Sequence, residues 1–273
     1  MAFLSNLHTH TTYSDGKHPP REIVEAALAK GFVSLGFSDH APSKAEAGFA
    51  LAQAEVEPYV REFRALREEY AGRIELYWGM EIDALSDFTH PELDYTIGSV
   101  HFVTDPATGR GYVVDYLREM VEEGIRAMGG EDPRPFVERY YRQLCQLAET
   151  RRPDILGHMD LLEKNNAEGC LFDSAAPWYL DCCEAAVHRI AKTGVIVEVN
   201  TGAISRGYRD IPYPSRAILH MLREHQVPVT LSSDSHQADT LDFWFDNAVD
   251  LLRDVGFSSL KRMEGGAMAD VEL

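Results

Sequence analysis

Asn6-Leu7-His8-Thr9-His10, followed by Ser14-Asp15-Gly16, is the stretch from which the fold is read. The residues before it, Phe3 and Leu4, are apolar, so Phe3 to His8 reads as a first β-strand ending in histidines. Residues i and i+2 of an extended strand share a face. His8 and His10 therefore aim both imidazoles at one point, as a metal centre requires. Alone, a His-x-His is commonly two solvated side chains on a surface strand. It gains weight because metal-type residues recur at the ends of later strands.

Outward from this start, short apolar runs alternate with longer amphipathic ones. The short runs are Phe3 to His8, Val33 to Ser38, Ile74 to Met80, Tyr95 to His101, Ile155 to His158, Val195 to Asn200 and Val229 to Ser233. Between them, helices are expected over Pro20 to Lys30, Glu55 to Tyr70, Tyr112 to Met128, Pro135 to Thr150, Ala175 to Lys192, Ser215 to His225 and Leu241 to Arg253. Pro19-Pro20, Pro177 and Pro214 stand where helices begin, and Gly31, Gly72 and Gly194 stand where they end. The stretch from Phe102 to Arg152 has room for two helices, joined near Gly129-Gly130-Glu131-Asp132-Pro133. The tail after Phe257 reads as frayed.

Alternation of strand and helix implies a parallel sheet covered by helices. A barrel is preferred over an open doubly wound sheet, because polar residues end nearly every strand and have to converge on one mouth. The expected fold is a seven-stranded α/β barrel, TIM-like, with its site at the C-terminal ends of the strands. All 273 residues are expected to form a single domain.

The strand ends carry His8 and His10, Asp39-His40, Met80-Glu81, Val100-His101, Gly157-His158 and Asp234-Ser235-His236, and the loop after the first strand adds Asp15. Imidazoles and carboxylates without thiolates suit Zn, Mn or Fe. Nine ligands exceed one ion's needs and a carboxylate can bridge two, so two or three divalent ions are expected. Asp39 and Asp83 alternate to the other strand face and read as groups that orient the ligands. His18, His90, His188, His220 and His225 match no strand end, and Cys182-Cys183 reads as helix core.

The chain carries a formal net charge of −18, with 45% hydrophobic residues. That charge repels nucleic acid, and three divalent cations would reduce it to about −12. No apolar run is long enough to span a membrane and no signal-peptide pattern is seen, so a cytoplasmic protein without membrane or nucleic-acid partners is expected. Four cysteines without a Cys-x-x-Cys pair suggest free thiols.

The set His8-x-His10, Asp15, His40, Glu81, His101, His158 and Asp234-x-His236 resembles the polymerase and histidinol phosphatase (PHP) family, over residues 6 to about 240. Within it, Gly79-Met80-Glu81-Ile82-Asp83, Ile97-Gly98-Ser99-Val100-His101 and Gly157-His158-Met159-Asp160 are most similar to histidinol-phosphate phosphatases. The resemblance implies a distorted seven-stranded barrel and a trinuclear centre. One ion would take His8, His10, Glu81 and Asp234, a second Glu81, His101 and His158, and a third Asp15, His40 and His236. It further implies hydrolysis of a small phosphate monoester by a hydroxide held between the first two ions. Glu81, Asp234, His236 and Arg206 would carry the catalysis. Arg206, in Asn200-Thr-Gly-Ala-Ile-Ser-Arg-Gly, resembles the family's phosphate-binding arginine. Glu163-Lys164 stands where an arginine is frequent, so Lys164 would bind phosphate as a point charge. Tyr13, Asp160 and Glu163 are candidates to receive the ammonium and imidazole of histidinol phosphate. The alternative substrates are nucleotides or other small phosphate esters. An amidohydrolase would need a carboxylated lysine where Glu81 stands, and a non-catalytic metal-holding module would be expected to have lost ligands.

Overall fold

The computed structural model describes residues 4–46 and 48–273. Phe3, the first residue of the expected first strand, lies outside them. In chain order the elements are β1 (Ser5–Asn6), α1 (Pro20–Lys30), β2 (Ser34–Phe37), α2 (Val56–Glu69), β3 (Glu75–Asp83), β4 (Tyr95–Ser99), β5 (Phe102–Thr104), β6 (Gly111–Val113), α3 (Arg118–Gly129), α4 (Arg134–Thr150) and β7 (Ile155–Leu156). They continue with α5 (Pro177–Ile190), β8 (Ile196–Asn200), α6 (Gly202–Ser205), α7 (Arg216–Glu224), β9 (Val229–Ser232), α8 (Phe245–Val255), β10 (Ser259–Glu264) and β11 (Ala267–Glu272). No helix among the described residues is long and apolar enough to cross a membrane.

Seven strands pair in parallel in the order β1-β2-β3-β4-β7-β8-β9, as expected for strands linked by helical crossovers. The two edges meet at the mouth, where Thr9 and Ser235 form a parallel bridge: His10 N donates to Ser235 O at 2.8 Å, and Ser235 N to His8 O at 3.1 Å. Below that bridge the Asn6 side chain joins the edges, donating to Ser233 Oγ at 2.7 Å and accepting from His8 N at 3.0 Å. The result is a nearly closed barrel.

Period-two alternation sorts each strand into two faces. Leu35 and Phe37 of β2 and Leu76, Trp78 and Met80 of β3 pack outward against the helices. Inside, a floor of Leu7, Tyr77, Tyr95, Ile97, Ile155 and Ile196 lies beneath the polar layer. Tyr95 spans this floor, its hydroxyl donating to the Leu7 and Phe37 carbonyls. A Cβ at Gly36 or Gly79 would overlap the Tyr95 ring, which accounts for glycine at both positions.

Two departures from the sequence reading bear on the barrel's ends. The tail is not frayed: β10 and β11 form a six-pair antiparallel hairpin. It closes the barrel floor with Met263, 4% exposed. Gly265 and Gly266, both at positive φ, make the turn, and their amides donate to Glu75 Oε2 and the Tyr77 hydroxyl at 2.9 and 3.1 Å. Likewise Tyr112 and Val113 are not helical but pair in β6 with β5, and the helix starts only at Arg118. Asp105 organises that hairpin's loop by accepting from Ala107 N and Thr108 Oγ1. The helix junction expected at residues 129–133 is present between α3 and α4.

Candidate metal centre

Glu81 lies on the inward face of β3, two residues above Gly79, and is 1% exposed. Five imidazoles converge on its carboxylate. His158 Nε2 and His101 Nε2 approach Oε1 at 2.9 and 3.3 Å. His40 Nδ1, His8 Nε2 and His10 Nε2 approach Oε2 at 3.1, 3.4 and 3.6 Å. Asp234 Oδ1 stands 3.2 Å from His10 Nε2 and 3.6 Å from both His8 Nε2 and His236 Nδ1. Asp15 Oδ2 lies 3.2 Å from His236 Nε2 and 3.8 Å from His40 Nε2. All nine side chains singled out in the sequence thus meet in one pocket. Asp234 sits at φ 46°, a conformation that costs a non-glycine residue free energy and turns its carboxylate inward. A Cβ at Gly202 would press on Asp234 Cβ and the Ser233 carbonyl.

The buried carboxylates and imidazoles shift one another's protonation. Burial would raise Glu81, yet His8, His40 and His101 hold it well below the usual carboxylate range. Burial would lower His8, but Glu198, Asp234 and Glu81 raise it well above normal. His10 is likewise raised to about 10 against burial, by Asp15 and Asp234. His40 is the exception: burial pushes it down to about 3. The buried carboxylates thus favour the charged forms of His8 and His10, because uncompensated buried charge costs several kcal/mol per ion. Among the described residues His8 Nε2, His10 Nε2 and His40 Nδ1 are buried without a hydrogen-bond partner, and all three face Glu81. Unpaired ring nitrogens around a shared carboxylate are the donor set of divalent ions, so the residues fit such a centre. Among the described residues four groups lie close enough to share an ion: His8, His10 and Glu81; Glu81, His101 and His158; His10, Asp15, His40 and His236; and His40, Glu46 and His101.

Around the nine lie groups that hold them. Asp39 accepts from Thr11 N at 2.7 Å, Thr11 Oγ1 at 2.9 Å and the Tyr59 hydroxyl. Asp83 accepts from His101 N and Leu85 N, both at 2.8 Å. Two further carboxylates went unnoticed in the sequence. Glu198, fully buried in β8, accepts from His8 Nδ1 at 2.6 Å, His158 N at 2.8 Å and Asn200 Nδ2 at 2.9 Å. A charge inside the apolar run Val195 to Asn200 was the signal that could have found it. Glu46, 2.9 Å from His101 Nδ1, sits in a loop and had no such signal.

A cavity of about 610 Å³ opens above the cluster, walled by Phe49, Tyr116, Met120 and Tyr208 and reached by Arg206 and Lys164. Arg206 is held by the Asp234 carbonyl and carboxylate, both at 3.0 Å, with Nη1 also 3.0 Å from His236 Nδ1. Lys164 donates to the Asp115 carbonyl and lies over the Tyr208 ring at 4.6 Å; burial lowers its pKa. The three residues expected to receive the substrate's cationic end do not line this cavity. Tyr13 stacks on Tyr59 and donates to Glu62. Asp160 is buried against Ser215 N and Arg209. Glu163 accepts from Ser174 and Asn166. In each case a local polar partner turned the side chain away. The remaining histidines lie outside the cluster, His225 pairing with Glu184 on the outer helices at 2.6 Å.

A model of the PHP domain matches residues 6–202 of this chain. The chain is 26% identical to the histidinol-phosphatase of Bacillus subtilis over 88% of its own length and 96% of that protein's. Among solved structures, a candidate histidinol phosphatase from Listeria monocytogenes superposes with a TM-score of 0.78 at 20% identity, covering 89% of this chain and 99% of that one. Histidinol phosphate phosphatase from Lactococcus lactis, complexed with zinc, L-histidinol and phosphate, gives 0.65 at 18% identity, covering 97% of this chain and 98% of that one.

Proposed function

This chain belongs to the PHP domain family, and from that membership we propose that it is a metal-dependent phosphomonoesterase that hydrolyses L-histidinol phosphate to L-histidinol and phosphate. On this reading it serves histidine biosynthesis in the cytoplasm. The observation that carries the proposal is the Glu81 carboxylate, ringed by five imidazoles beneath a cavity that also presents Arg206 and Lys164. The Bacillus subtilis relative supports the substrate.

His8, His10, Glu81 and Asp234 would hold one ion, Glu81, His101 and His158 a second, and Asp15, His40 and His236 a third. Bound divalent ions would supply a water of lowered pKa and neutralise charge on the phosphoryl oxygens. Glu198 fixes the His8 ring by accepting from Nδ1. Arg206 is preorganised by the Asp234 carbonyl and carboxylate and directs its guanidinium charge to the equatorial phosphoryl oxygens. Lys164 adds a point charge at the cavity wall. Tyr116, Met120, Phe49 and Tyr208 give the organic part of the ester an apolar surface and limit water around it.

Phosphate release from histidinol phosphate, compared with release from nucleoside monophosphates and a generic aryl phosphate, tests the assignment. The expected result is a preference for histidinol phosphate in kcat/KM. Faster turnover of nucleotides would move the chain to a different phosphoesterase activity on the same centre.

A further inference from the structure

Glu46 comes from the loop between β2 and α2, yet its side chain is completely buried. Its Oε1 lies 2.9 Å from His101 Nδ1 and 3.9 Å from His40 Nδ1, while Oε2 has no hydrogen-bond partner among the described residues. The other nitrogen of His101, Nε2, faces Glu81 Oε1 at 3.3 Å. A neutral imidazole carries one proton, and the partner of one nitrogen decides the role of the other. With the proton on Nδ1 toward Glu46, the Nε2 lone pair is free for a cation beside Glu81. Asp83 Oδ2 also lies 3.5 Å from His101 Nδ1, farther than Glu46 Oε1, and it accepts from His101 N while Oδ1 accepts from Leu85 N.

The same short loop forms part of the mouth. Phe49 and Ala50 donate backbone N–H groups to the Glu46 carbonyl at 3.0 and 2.9 Å, and Leu51 N to the His40 carbonyl at 3.0 Å. Phe49 sets its ring edge-on to His40, centroids 4.9 Å apart, and lines the cavity.

We propose that Glu46 is a positioning residue that fixes the His101 tautomer with Nε2 toward the centre and latches the mouth loop to that ligand. The inference rests on the reading of the cluster as a metal centre. Glu198 does the corresponding work for His8 from a barrel strand, whereas Glu46 does it from a loop that also walls the substrate cavity.

Zinc titration of the metal-free protein against a competing chelator, for wild type, Glu46→Met and Glu46→Gln, tests it. Removing a carboxylate behind a ligating histidine weakens metal binding about 10–100-fold. The Met variant should show that loss for one ion, keep the others, and melt like wild type when metal-free. The Gln variant, whose amide oxygen still accepts from Nδ1, should recover most of the loss. Wild-type affinity in the Met variant would overturn the proposal. If that variant fails to fold, the zinc-loaded wild type decides: ¹H–¹⁵N spectra should place the His101 proton on Nδ1, and a bare Nδ1 would overturn it. A wild type that takes up no zinc would refute the metal centre itself, and this inference with it.

Discussion

The two ends of the barrel interior use the same strands for opposite purposes. At the floor, Leu7, Tyr95, Ile97, Ile196 and Met263 are apolar, closely packed and sealed by the β10–β11 hairpin. At the mouth, further along the same strands, Ser99 stands two residues after Ile97, Glu198 two after Ile196 and Glu81 four after Tyr77, and a ring of histidines closes over the top. The floor contributes stability through burial of apolar surface. The mouth concentrates buried charge, which costs free energy wherever it is left uncompensated. Substitutions of the metal ligands at the mouth should therefore remove activity and metal while sparing the metal-free fold, and substitutions at the floor should do the reverse.

The largest expected effect is that of Glu81→Gln. Five imidazoles lose their common anion, and kcat should fall about 10³-fold with fewer metal equivalents bound, as steady-state kinetics and metal analysis would show. Wild-type turnover at full metal content would break the comparison at its most exposed point. Next, Arg206→Met should lower kcat/KM about 100-fold while leaving the metal content intact, which separates a phosphate contact from a ligand. Met263→Ala, at the floor, should cost about 2–5 kcal/mol and lower Tm by roughly 5–10 °C, with kcat per metal-loaded site unchanged. Chelation should lower Tm as well, through loss of ligand binding to the native state, but unlike the floor substitution it should abolish turnover. The smallest effect is expected for Glu198→Gln, which keeps an acceptor for His8 Nδ1 but removes its charge. Metal affinity should weaken by about tenfold, measured against a chelator.

The mouth was the more legible of the two ends. His8, His10, Glu81 and His101 could be placed because side chains alternate along a strand and these fall where apolar runs stop. His236 follows the last apolar run in the same way, and Asp15 stands in the loop directly after the first strand. The floor was less legible at its closing element. Glu264-Gly265-Gly266-Ala267-Met268 reads as frayed, although Gly-Gly between alternating residues is a hairpin signal, and it forms the turn of β10–β11. Side chains placed by loops were read worst. Tyr13, Asp160 and Glu163 have suitable chemistry for a substrate's cationic end, but local partners turn them elsewhere. Glu46 enters the centre through a loop path that no periodicity describes.

The most direct measurement is diffraction at the absorption edge of the metal in crystals of an active preparation. The expected result is two or three anomalous peaks, with two of them flanking the Glu81 carboxylate and another near Asp15, His40 and His236. A fully active preparation with no peak inside the ring of histidines would contradict the account.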